Sequence, residues 1–444
     1  MAEIRLVLAP NLQHLLPKSY RERNRLNMTH YRLNLGDAQH TDTRIDLSFQ
    51  KRDNPNNSWA ARKLGLAVTV HSAPNEIATD WQAFEQALTA GRAISTWCLA
   101  WYKAHTRTKR VSPFIVVGRN TSGDLEFVLP LEQRCLGPLK VLVAPGAGHT
   151  TYYAGVYSER VLDMFKNDEG TDFWEHVLNC IGKVDAILIE GFSVDKFGPH
   201  HPLALLPHTE AAHGSMRMDI SSNWAAQYEK MITPKLKADD RRCAKRLSEL
   251  GELKHYIART RGQRHALLDV LLQQKATQFA AMNVVDPFKS DEIIAFYREL
   301  IDIDADQPET SLYFSALTLD GAPLAANFGL LEEGEMCGLI TSMTDANERR
   351  FSPGRLLLGY TNNHLSDIGA KGHDFGMGML PYKSVWCQRN IRRLHVQIGF
   401  SLIGKLYLWQ KHSVQLLKNW LKTHDGVKRT LKRILHVQSR IFSK

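Results

Sequence analysis

From Leu64 onward the apolar positions fall into two alternating rhythms, period 2 and period 3.6, while residues 1–63 keep neither. The first half opens with a strand at Leu66–His71 and a helix carrying Ile77, Trp81, Phe84 and Leu88, which Asn75 can cap. A second helix with Trp97, Leu99, Trp101 and Tyr102 follows, with Ser95 as its cap. Three strands come next, Phe114–Gly118, Leu125–Leu131 and Leu139–Ala144, turned at Gly123 and at Gly137-Pro138. After the bend Pro145–His149, helices are expected near 156–166 and 171–182, then a strand at Ala186–Ile189.

The second half repeats that order without a detectable sequence repeat. A helix bearing Trp224, Tyr228 and Ile232, capped by Ser221 or Ser222, leads to a basic helix that Pro234 starts. A strand at Lys254–Ala258 and helices at about 264–283 and 290–302 follow. Strands are expected at 312–319 and 324–331, joined by Asp320-Gly321, and at 336–343. Ser352-Pro353-Gly354 then opens a helix bearing Leu356, Leu357, Leu358, Leu365 and Ile368, stopped at Gly369. His373–Met377 reads as a strand breaking into Gly376 and Gly378, Tyr382-Lys383 enters a short helix, and His395–Ile398 is expected as an edge strand of this second sheet. The whole is an α/β (α+β) chain of two similar lobes.

Length and composition narrow the class. The 444 residues exceed one ordinary core, and a hydrophobic fraction of 43% describes a globular chain. Six scattered cysteines without CxxC spacing read as reduced thiols, and no metal ligand set is expected. No run of signal-peptide or membrane-spanning length occurs, so the expected location is the cytoplasm. The net charge of +10 is concentrated: residues 391–444 hold twelve Lys/Arg and one acid, +11, which leaves −1 for residues 1–390. Nucleic acid is therefore an improbable substrate for the body. The tail interleaves those cations with Leu402, Ile403, Leu406, Leu408 and Trp409, a pattern suited to an anionic membrane surface or to packing on the body.

The chemistry gathers at Ser352–Trp386. A helix start preceded by a strand offers unpaired amides and a partial positive charge to a phosphate, and Arg350 adds a guanidinium. Asp374, ending the next strand, can take a proton or orient the glycine bend. Tyr382 and Lys383 can donate to a leaving group or an oxyanion. Arg242 and Arg246 share a helix face that suits phosphates or solvent, and Trp224 and Tyr228 share one that suits core packing or an acceptor cleft. His200, His201, His208 and His213 form a Pro-rich cluster expected to join the halves, and His149 is a further candidate.

Arg350-Phe351-Ser352-Pro353-Gly354, then Asp374-Phe375-Gly376-x-Gly378 and Tyr382-Lys383-x-x-Trp386, with Trp224-x-x-x-Tyr228 upstream, resemble the CelD/BcsL-like branch of the GNAT acetyltransferases over roughly residues 75–390. The resemblance implies a tandem GNAT-like (Fem-like) double fold. Its expected parts are an arm at 1–63, lobes at 64–205 and 206–399, and a helical basic tail at 400–444. It implies acetyl-CoA or another acyl-CoA as donor, held by Arg350, Ser352, Gly354 and Arg355. It also implies catalysis by Asp374, Tyr382 and Lys383, and an acceptor near Trp224, Tyr228 and Arg242, such as an amino sugar or another polysaccharide precursor; the basic tail would place the protein at the periphery of the inner membrane. The family's usual Gln/Arg-x-x-Gly-x-Gly/Ala loop is replaced here by a sequence with one glycine and a proline. Two other outcomes stay open on these residues: Fem-like transfer from aminoacyl-tRNA, and a non-catalytic accessory of exopolysaccharide synthesis.

Overall fold

The apolar runs Ile115–Val117 and Phe127–Leu131 lie side by side at the centre of a sheet in the computed structural model of the protein. The structure describes residues 59–88, 94–105, 111–146, 148–150, 152–306, 311–378, 380 and 382–423. All fall in one unit, residues 45–444. The expected arm at 1–63 lies almost wholly outside the described residues, as do residues 424–444 of the tail.

In chain order the strands are β1 Leu66–His71, β2 Ser112–Asn120, β3 Leu125–Leu136, β4 Leu139–Val143, β5 Val156–Tyr157, β6 Ala186–Phe192, β7 His208–Glu210, β8 Ser215–Asp219, β9 Leu253–Ile257, β10 Leu312–Leu319, β11 Ala322–Glu332, β12 Glu335–Met343, β13 Gly372–Met377, β14 Arg389–Ile391 and β15 Leu394–Gly399. The α-helices are α1 Trp59–Leu64, α2 Ala78–Leu88, α3 Ile94–His105, α4 Glu159–Lys166, α5 Gly170–Ile181, α6 Val194–Phe197, α7 Trp224–Met231, α8 Pro234–Ser248, α9 Arg261–Ala281, α10 Asp291–Ala305, α11 Pro353–Asp367, α12 Lys383–Trp386 and α13 Leu402–Thr423.

Two sheets result, ordered β1-β2-β3-β4-β6-β15-β7 (with β5 beside β3) and β14-β8-β13-β12-β11-β10-β9. Each half runs strand, two helices, antiparallel meander, helix, and then a strand parallel to the end of the meander: β6 beside β4, and β13 beside β12. The duplication is therefore topological. Helix α11 spans Pro353–Asp367 and β13 spans Gly372–Met377, as the periodicity predicts.

Two expectations are corrected. β15 does not extend the second sheet; it runs antiparallel between β6 and β7 of the first. β7 also lies in that sheet, whereas the second sheet is built from the consecutive strands β8 to β14. Buried Val396 and Ile398 supply the reason, since they pack with Ile187, Ile189 and Phe192. The caps differ too. Glu85, not Ser95, accepts the first amides of α3, from Ile94 and Ser95 at 2.9 and 2.8 Å, and Asn223 rather than a serine caps α7.

The lobes share a core. Trp97 and Trp101 of α3 meet Phe296 of α10 edge-on at 4.8 and 5.1 Å, and one apolar cluster runs from Ile115 and Val128 through to Phe314 and Phe328. Burial of so many large side chains, each contributing about 1.5–3 kcal/mol, stabilises the junction between the lobes.

Candidate active site

The parallel ladder between β12 and β13 is short. It pairs Glu335 with Gly372, Met336 with His373 and Cys337 with Asp374, and then ends. On its other side β12 slips register against β11 between Phe328 and Gly329. Gly376, at φ 73°, turns β13 away in a backbone conformation that favours glycine. Past Cys337 the two strands separate, and the backbone groups that would have paired face an open cleft.

A cavity of about 220 Å³ occupies that gap. Gly338, Leu339 and Thr341 of β12 line one wall, and His373, Phe375, Gly376 and Met377 line the other, with Tyr382 and Lys383 at its end. The first lobe contributes Gly148, His149 and Thr150, and α9 contributes Lys275. A smaller cavity lies beside it, lined by Tyr152, Lys196, Phe197, Trp97, Glu332 and Cys337 among others. Thr150 and Leu339 border both.

Asp374 and His373 point to opposite sides of β13. His373, fully buried, meets Asn362 Oδ1 through Nδ1 at 2.7 Å and stacks on Phe375, with ring centroids 4.1 Å apart. Burial, with the neighbouring Lys383 charge, lowers its pKa to about 3, so the ring stays neutral. Asp374, 4% exposed, accepts the Gly376 amide at 2.7 Å on Oδ1 and the Tyr152 hydroxyl at 2.5 Å on Oδ2. Burial raises its carboxyl above the usual range, opposed by those two bonds and by Lys196 and Lys383. Lys196 rests over the Tyr152 ring at 4.9 Å. The arrangement can pass a proton from a group in the smaller cavity through the Tyr152 hydroxyl to the carboxylate.

Lys383 is a strut. Its ammonium donates to the Gly376 and Met377 carbonyls at 3.1 and 2.7 Å, fixing the bend that opens the cleft, and burial lowers its pKa. Tyr382 is partly exposed at the cavity mouth, with burial raising its phenol.

Residues 234–384 match the model of the acetyltransferase (GNAT) domain family. Over those residues, about a third of the chain, the second lobe is similar to a GNAT domain, and the chain is an acyltransferase. Its first half repeats the strand-and-helix order of that matched half, so the fold is a tandem GNAT-like one. Among solved structures it is similar to FemX, at 11% identity over 77% of this chain and 99% of that one, with a TM-score of 0.48. It is also similar to the C-terminal domain of a putative lysylphosphatidylglycerol synthetase from Agrobacterium fabrum, at 16% identity over 73% and 92%, TM-score 0.44. A third is a tandem GNAT protein from the clavulanic acid biosynthesis pathway, at 11% identity over 75% and 98%, TM-score 0.38. No curated protein matches the chain.

Tyr382 and Lys383 line the larger cavity and Asp374 meets the smaller one through Tyr152, but the expected donor loop is sparsely equipped. Ser352 takes a left-handed conformation at φ 52° and ψ 50°, and its side chain makes no cap. Pro353 has no N–H, and the Arg355 and Leu356 amides turn back to the Ser352 carbonyl at 3.0 and 3.2 Å. Among the described residues this leaves the Gly354 amide as the outward donor of the first turn. Arg355 is held by Asp240 at 2.6 Å and Asp239 at 2.5 Å, tying α11 to α8. Arg350 is exposed over the Phe351 ring. The turn itself lies at the surface, half-buried.

The structure does not bring Trp224, Tyr228 and Arg242 to this cleft. Trp224 stacks on Trp386, and Tyr228 donates to Asp240 at 2.8 Å; both border a separate groove beside Arg355 and Tyr360. Arg242 is exposed and pairs with Asp239. Of the histidine cluster, His201 packs on Phe192 and Phe197, His208 lies in β7 of the first sheet, and His213 lies in the connection from β7 to β8 of the second. Among the described residues no group of three His, Cys, Asp or Glu could hold a metal.

Four site residues escaped the sequence reading. Tyr152 reaches Asp374 from a loop with no motif. Lys275 sits on a predicted helix face, its ammonium over Phe279 at 5.7 Å and its pKa lowered by burial. Asn327, 1% exposed, lines the larger cavity with Nδ2 unpartnered among the described residues. Arg393, 4% exposed between β14 and β15, neighbours Tyr152 and Asp374, and burial lowers its pKa. Only a polar residue inside an apolar strand, as at Asn327, carried any signal.

Proposed function

We propose that the chain transfers an acyl group from acyl-CoA to an amine or hydroxyl of an amino sugar or another polysaccharide or cell-envelope precursor, as the likeness of its motifs to the CelD/BcsL-like branch implies. The observation that carries this reading is the opening between β12 and β13 beside the Tyr152–Asp374 pair. The pantetheine arm fits between the separated strands, where Lys275 and the unpartnered Asn327 amide meet its carbonyl oxygens. The Gly354 amide, Ser352 and Arg350 receive the diphosphate.

The acceptor enters by the smaller cavity. Its nucleophile gives a proton to Tyr152 as Tyr152 gives its own to Asp374, and attacks the thioester carbonyl at Leu339, which borders both cavities. The leaving thiolate takes a proton from Tyr382 at the mouth of the donor cavity.

The thin first turn of α11 and the engaged Arg355 favour a second reading, in which the donor is an aminoacyl-tRNA, as in Fem-like transfer. Calorimetry with acetyl-CoA, CoA and charged tRNA separates them. Binding of the CoA species alone supports the first reading, binding of charged tRNA alone the second, and no binding of either supports a non-catalytic accessory.

A further inference from the structure

Helix α13 rests on the outer face of the first sheet by a narrow seam. Ser401 donates to Asp185 Oδ1 at 2.5 Å and accepts the Gly404 amide at 3.0 Å, pinning the helix start. A side chain at Gly404 would overlap the Asp185 carbonyl, so backbone meets backbone there. Leu408, 8% exposed, fills the space over Val141, Val143 and Leu188. This seam uses one side of the helix.

The other side is apolar and open. Leu402 is 86% exposed, Ile403 51%, Leu406 60% and Trp409 65%. Positions 402, 403, 406 and 409 fall on one stripe of a helix. Exposed Lys405 borders it, and exposed Lys411, over the Tyr407 ring at 5.7 Å, lies farther round the helix toward the seam. Leaving four large apolar side chains in water is unfavourable, and such patches mark contact surfaces.

We propose that this stripe docks the protein on an anionic lipid bilayer. Charge selects that occupant. Residues 391–444 carry twelve cations against Asp425 alone, so a second copy would bring like charge to like charge. A negatively charged headgroup layer over an apolar interior satisfies the lysines and the Leu/Ile/Trp stripe together. At about 1.5 Å per residue α13 is about 33 Å long, and it lies along the surface rather than through it. No helix among the described residues is long and apolar enough to cross a membrane.

The full chain is sedimented with vesicles of phosphatidylcholine, alone or enriched in phosphatidylglycerol, at low and high salt. Binding to the anionic vesicles, weakened by salt and absent from the neutral ones, is the expected result. Leu406→Glu with Trp409→Glu should reduce that binding at least about tenfold while circular dichroism and Tm stay unchanged, since both side chains face solvent. Lys405→Glu with Lys411→Glu should reduce binding and its salt dependence together. Unchanged partitioning of the Leu406/Trp409 variant overturns the proposal. So does failure of the unaltered chain to bind, including the case where light scattering shows a dimer that the same variant dissociates. None of these readouts depends on which donor or acceptor the active site takes.

Discussion

Tyr152 in the first lobe donates to Asp374 in the second at 2.5 Å, across 222 residues of sequence. The carboxylate is buried where an isolated charge would be costly, and the phenol and the Gly376 amide are what let it ionise. A charge-assisted bond of this kind contributes about 1.5–3 kcal/mol.

The acid limb of the pH–rate profile should therefore report Asp374 and lie above the usual carboxylate range, since burial dominates the shift. Tyr152→Phe removes a bond that favours the charged form, so the limb should move to still higher pH, with kcat down about 10–100-fold. Asp374→Asn should lower kcat about 10²–10⁴-fold while CoA affinity, read by calorimetry, is kept. A Tyr152→Phe profile that moves to lower pH or stays in place would remove the coupling.

At the helix start, Gly354→Ala tests the diphosphate site without disturbing the fold. A Cβ there meets only Met343 Sδ, at 3.6 Å, so Tm should hold or rise slightly. The added methyl should crowd the diphosphate and raise the Kd for CoA about tenfold. Arg355→Ala should do the reverse. Its pairs with Asp239 and Asp240 tie α11 to α8, so Tm should fall with little change in Kd.

Lys275→Met should separate binding from stability. The ammonium is mostly desolvated beside the donor cavity, and its pKa is lowered by burial. Removing the charge and keeping the stem should raise Tm while weakening CoA binding by about tenfold. Titration by calorimetry beside a melting curve reads both.

Glu85 makes stability pH-dependent. Burial lifts its pKa from 4.5 to about 7, against the amides of Ile94 and Ser95 that hold it at the start of α3. A folded-state pKa above the unfolded value means that its contribution is full below pH 4.5 and is lost as pH rises through 7. The swing is on the order of 3 kcal/mol. Glu85→Gln should flatten Tm against pH across that window, and an unchanged slope would assign the dependence to other groups.

The periodicity located β13, α11 and the paired helices of each half because those elements bury one face locally, so spacing alone reports them. It misplaced β15, because Val396 and Ile398 suit any buried position and only the neighbours they meet decide the sheet. In sequence Arg355 stands beside Gly354 and suits a phosphate, whereas Asp239 and Asp240 approach it only when α8 packs against α11.

By itself, then, the sequence determined the order of helices and strands, the glycine bend after Asp374 and the concentration of charge at the basic end. Those follow from local sterics, periodicity and counting. The tertiary structure alone decided that Tyr152, Lys275, Asn327 and Arg393 would surround that aspartate and its cleft. Their chain positions lie far apart, and the return of β15 to the first sheet, with the core that α3 and α10 share, brings the two lobes together around them.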